Sequence, residues 1–134
     1  MREQCELVID SAKRGEVEIV VSALAMIEAA YLAGYSDNDA EARIREFFGR
    51  RYVVPVQIDA PIATIARDLI RRHRNTRKIV PGDATHLATA IQWKIPIVET
   101  TDPDLLRFDR VEGSPLIIVR EPHSEGGRAL TLFT

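Results

Sequence analysis

The stretch Pro81-Gly82-Asp83-Ala84-Thr85-His86-Leu87-Ala88-Thr89-Ala90-Ile91, followed by Ile95-Pro96-Ile97-Val98-Glu99-Thr100-Thr101-Asp102-Pro103-Asp104-Leu105-Leu106, decides the fold. Pro-Gly makes a turn, and an acid then opens an uncharged, alanine-rich helix that runs to about Trp93. A short apolar strand, Ile95–Val98, ends in a cluster of hydroxyls and carboxylates, and Pro103–Arg107 reads as a helical turn. Asp83 thus stands at a helix start and Asp102 just past a strand end. Open α/β sheets gather functional residues in those two places.

The same alternation extends outward. Upstream, residues 2–14 carry Cys5, Val8, Ile9 and Ala12 at helical spacing and stop at Gly15. Glu18–Val21 reads as a strand, and Ser22 as the N-cap of a helix reaching about Ala33. Asp37-Asn38-Asp39 caps a helix to Phe48, and Tyr52–Val56 is a second strand. Asp59 caps a helix with Pro61 in its first turn and Ile62, Ile65, Ala66 and Leu69 as its stripe. Downstream, Leu116–Val119 is a strand, and residues 123–134, with Gly126-Gly127, read as a tail behind a domain spanning 1–122. Helices alternating with short apolar strands imply a parallel sheet covered on both faces, a three-layer α/β/α sandwich.

A length of 134 residues fits one domain, and a 46% hydrophobic, 28% charged composition supports a buried core. A net charge of −2 with a pI near 5.9 does not announce a nucleic-acid binder by bulk electrostatics, and leaves room for a local basic patch. The single cysteine, Cys5, excludes a disulfide framework and a cysteine metal cage, and points to a reducing cytoplasm. The N-terminus lacks a signal-peptide pattern. The apolar stretch Ile19–Ser36 contains Glu28 and a strand-like Val20-Val21, so it is not a membrane span.

Each acid has a plain reading as well as a functional one. Glu28, the only charge between Ile19 and Ser36, either marks the wet face of its helix or meets a cation, because an isolated carboxylate among apolar side chains is costly. Asp83 is either an N-cap or a ligand, and Asp102 and Asp104 are either turn formers or ligands. His86, one turn after Asp83 on the same side of the helix, reads first as a buried, hydrogen-bonded histidine. Together the acids sit at strand ends or on the helices beside them, where they can converge. Carboxylate sets suit hard dications such as Mg²⁺ or Mn²⁺, which polarise phosphoryl oxygens and activate water. The thiolates and paired histidines that zinc prefers are missing. Ser22 and Thr100 are positioned to bring hydroxyls to the same rim.

Val20-Val21-Ser22-Ala23-Leu24 with Glu28, the Asp83–Ala90 segment and Thr100-Thr101-Asp102-Pro103-Asp104 resemble the PIN-domain nucleases, and among them the VapC-type toxins of toxin–antitoxin pairs. The resemblance covers roughly residues 1–120. It implies acidic metal positions at Glu28, Asp83 and Asp102, with Asp104 auxiliary and Thr100 and His86 supporting. It implies a Mg²⁺- or Mn²⁺-dependent endoribonuclease, a homodimer, and a cognate VapB-like antitoxin. The family's opening strand, which ends in an aspartate, has no counterpart before residue 2. Asp10 imitates that aspartate but falls in a helical pattern. The expectation is therefore a sheet without its first strand, with unpaired neighbours, weakened metal binding and impaired activity.

The run Arg71-Arg72-His73-Arg74-Asn75-Thr76-Arg77-Lys78 is either a solvated helix exit or a contact to RNA phosphates through Arg72, Arg74 and Arg77. Against the ribonuclease stands a PIN-like module that acts by binding an antitoxin or another copy of itself. A receiver- or flavodoxin-like domain lacks support, since there is no phosphoacceptor constellation or glycine-rich phosphate loop.

Overall fold

A computed structural model describes residues 2–123 and 129–133. Helix α1 (Arg2–Lys13) precedes Gly15, whose φ of +78° turns the chain into strand β1 (Val17–Ser22). Then come α2 (Ala23–Glu28), α3 (Asp37–Phe48), β2 (Val53–Val56), α4 (Ala60–His73), α5 (Pro81–Gln92), β3 (Ile97–Glu99), α6 (Pro103–Leu106), β4 (Ile118–Arg120) and β5 (Ala129–Phe133). The strands form one sheet in the order β2-β1-β5-β3-β4, with every neighbouring pair parallel.

Alternation along β1 divides the core into two. Val20 joins one cluster with Val98 and Val119 from the sheet, Ile62, Ala66 and Leu69 from α4, and Ala84, Leu87 and Ala88 from α5. Ile19 and Val21 point the other way, to Val8 and Ala12 of α1, with Phe47 and Phe48 of α3 packed alongside. Successive strand side chains face opposite sides of a sheet, so helices cover both faces and the three-layer α/β/α sandwich is borne out. Fully buried side chains such as Ile62, Leu69 and Leu87 each contribute about 1.5–3 kcal/mol by leaving water.

The centre of the sheet differs from the sequence-based expectation. β1 and β3 are not left without a partner: β5, from the segment expected to be a tail, lies between them and pairs with both. The cause is the demand of two rows of backbone N–H and C=O groups for partners, which the backbone of the uncharged run Ala129–Phe133 meets. The expected helix from Ser22 to Ala33 is also shorter. It ends at Glu28, with Ala29 N–H closing on the Ala25 carbonyl. α2 buries none of its side chains, so further turns would gain no packing. Ser36, rather than the acids after it, caps α3 by accepting from Asp39 N–H.

Candidate functional site

The chain moves outward from β1 to β2, then crosses to β3 and β4, so strand order reverses between β1 and β3. Crevices at the carboxyl ends of strands beside such a reversal are the usual sites of open α/β sheets. Glu28 follows β1 at the end of α2. Asp102 and Asp104 follow β3. Asp83 lies in the first turn of α5, the helix leading into β3.

Each acid is held by identifiable contacts. Glu28 is exposed, but its Oε1 lies 2.6 Å from Nε2 of buried His86, and Nδ1 of that ring lies 3.2 Å from the Ser22 hydroxyl. Ser22 is fully buried and caps α2 by accepting from Ala25 N–H at 3.3 Å, so its hydroxyl faces inward rather than to the rim. Asp102 caps α6, accepting from Asp104 N–H at 2.9 Å, while its own N–H donates to the Thr100 hydroxyl at 3.1 Å. The buried Thr100 thereby fixes the bend that carries both aspartates. Asp104 is exposed, with the Arg107 guanidinium 3.9 Å away.

Asp83 is half-buried, and its carboxyl is pushed above the ordinary aspartate value. Desolvation is the main cause, followed by the charge of Asp102; Glu28 and Asp104 add to the rise, and only His86 opposes it. Three other carboxylates of this rim therefore act on Asp83. Among the described residues, however, no three His, Cys, Asp or Glu side chains lie close enough together to hold a metal ion. Glu28 and Asp102 each engage a hydrogen-bond donor. The chemistry of the set still fits a hard dication: all the donors are oxygens, and the net charge at the rim is negative.

Residues 2–112 match the family model of the PIN domain. The chain belongs to the PIN-domain family. PIN domains have a nuclease-type fold, are commonly ribonucleases and generally depend on a divalent metal. No curated protein and no solved structure is significantly similar to the chain. In this PIN domain all four rim acids fall inside the matched span, and β5 falls outside it. Asp10 lies within α1, away from any strand end, as its helical pattern implied.

The basic run is a separate feature of the PIN domain. Arg72 donates to Glu112 at 3.1 Å, and the same carboxylate oxygen lies 2.6 Å from Nε2 of buried His73. Arg74 and Arg77 are exposed and make no ion pair among the described residues. Two features were not anticipated from sequence. The first is the Ser22–His86–Glu28 chain, for which the placement of His86 one turn after Asp83 was the only hint. The second is an apolar cleft of about 370 Å³ beside Glu28, lined by Ala25, Leu32, Ile44, Phe47 and Phe48, with Arg43 at its wall. No helix among the described residues is long and apolar enough to cross a membrane.

Proposed function

We propose that this PIN domain is a divalent-metal-dependent endoribonuclease acting as the toxin of a VapC-type toxin–antitoxin pair. The reading rests on one observation, the gathering of Glu28, Asp83, Asp102 and Asp104 at the reversal of strand order, where the other three act on Asp83. Glu28, Asp83 and Asp102 would hold Mg²⁺ or Mn²⁺, with Asp104 auxiliary. Such an ion supplies polarisation of a phosphodiester oxygen and an activated water for in-line attack. The protein's own contribution is placement. His86 orients Glu28, Thr100 sets the bend bearing Asp102 and Asp104, and the partial burial of Asp83 strengthens local electrostatics. Exposed Arg74 and Arg77 support a contact to RNA phosphates, whereas Arg72 is partly neutralised by Glu112. The apolar cleft, with exposed Ile27 and Tyr31 nearby in sequence, supports a protein partner, either an antitoxin segment or a second copy.

A second reading has its own support. The central strand β5, Ala129–Phe133, contains no acid of its own to add to Glu28, Asp83, Asp102 and Asp104. A module that acts by binding alone is consistent with that. Isothermal titration with Mn²⁺ separates the two. The nuclease reading expects saturable binding, lost in Asp83→Asn, together with Mn²⁺-dependent cleavage of a mixed RNA pool. A folded wild-type chain that neither binds Mn²⁺ nor cleaves RNA assigns the protein to the binding module.

A further inference from the structure

His86 is fastened to both ends of α2. The helix is six residues long and buries no side chain, so its packing does little to fix the carboxylate at its last residue. The buried imidazole does so instead. Its Nε2 lies 2.6 Å from Glu28 Oε1, and its Nδ1 lies 3.2 Å from the hydroxyl of Ser22, the N-cap of the same helix. Ser22 Oγ also accepts the Ala25 N–H, so this one hydroxyl ties the ring to the first turn of α2. A carboxylate can only accept from Nε2. The Glu28 contact therefore requires a proton on Nε2, while the Ser22 hydroxyl, which can donate or accept, suits Nδ1 either way. The other carboxylate oxygen of Glu28, Oε2, lies over the first turn of α5. A Cβ placed on Gly82, the residue before Asp83, would sit 3.6 Å from it.

We propose that His86 is a positioning residue. Oriented by its contact with Ser22, it holds Glu28 through Oε1 and leaves Oε2 over the first turn of α5, beside Gly82, to ligate the ion. This rests on the metal-dependent reading above. An outer partner that orients a ligand in this way typically changes metal affinity about 10- to 100-fold when removed. The Asp102 carboxylate accepts the Asp104 N–H and that of Asp104 faces Arg107, so the relay acts on Glu28 alone.

The test combines a spectroscopic signature in the metal-free protein with Mn²⁺ affinity. Long-range ¹H–¹⁵N correlation spectra of the wild-type chain should show a proton on His86 Nε2. In Mn²⁺ titrations, His86→Leu should raise Kd about 10- to 100-fold with an unchanged circular dichroism spectrum. His86→Gln, whose amide N–H can still donate to Glu28, should return Kd to within about threefold of wild type. A wild-type ring with no proton on Nε2 overturns the proposal without recourse to any variant. Wild-type binding that His86→Leu leaves unchanged overturns the positioning role but not the metal reading. A wild-type chain that binds no Mn²⁺ overturns the metal reading and the role of the relay with it, whichever tautomer is found.

Discussion

Asp83 carries the strain of the rim. Its carboxyl is raised above 3.8 chiefly by desolvation and then by Asp102. A raised carboxyl binds protons more readily in the folded chain than in the unfolded one. Its contribution to stability is full below the unfolded value and is lost as pH rises through the folded value. Glu99 acts with the same sign above 4.5, because its burial outweighs the guanidinium of Arg120 3.6 Å away. Glu16, lowered by Arg14, pulls the other way from the exposed surface. Asp83→Asn should therefore unfold at an equal or higher temperature than wild type in chelator at neutral pH. The gain should reach up to about 1 kcal/mol, the scale of partly exposed charge interactions, and vanish as pH falls below the carboxylate range. Calorimetry across pH checks this. A mutant clearly less stable at neutral pH would mean that Asp83 has a cationic partner in the metal-free protein. At this scale the sequence was informative about which acids matter, because each stands at the boundary of an element. It gave no sign that the Ser22 hydroxyl turns inward, since that depends on a ring 64 residues away.

Elements were legible where the local pattern was strong. The stripe Ile62, Ile65, Ala66 and Leu69 gave α4, and the Asp59 cap gave its start, with Ile62 N–H donating to Asp59 at 3.0 Å. β5 was not legible, because Gly126-Gly127 and its position near residue 134 suggested a tail. The uncharged run Ala129–Phe133 was the signal, and only the open slot between β1 and β3 gives it meaning. Thr131 stands opposite Ile19 of β1 and Ile97 of β3, at the middle of the sheet. Proline there removes a ladder N–H and is excluded from central strands. Thr131→Pro should cost about 3 kcal/mol or more, read as a lower urea midpoint, whereas Thr131→Val should leave the midpoint nearly unchanged. A proline variant with the wild-type midpoint would remove β5 from the sheet and restore the expectation of unpaired neighbours.

At the scale of the whole molecule, an RNA-cleaving reading faces an electrostatic difficulty. The net charge is −2, the rim is acidic, and RNA is a polyanion. Many surface cations are already neutralised locally: Arg14 by Glu16, Arg45 by Glu41, Arg50 by Glu46, and Arg110 by Asp109. A bound dication would offset the rim only in part. Strand capture then falls to cations with no such partner, and the end of α4 with the loop after it concentrates them. Within that run Arg72 differs, because Glu112 and His73 tie it to the folded structure. Replacing Arg72 should therefore disturb stability as well as binding. Arg74 and Arg77 are exposed, so Arg74→Ala with Arg77→Ala should leave the unfolding temperature unchanged and weaken RNA binding to a similar degree across sequences. Each lost phosphate contact should flatten the slope of log affinity against log salt by about 0.7 for a single strand, or roughly 1.4 for the pair. Fluorescence anisotropy with a labelled single-stranded RNA over a salt series measures both quantities. Equal affinity and an equal slope in the double mutant would mean that RNA reaches the rim by another surface, and Arg43 at the wall of the apolar cleft would be the next cation to replace.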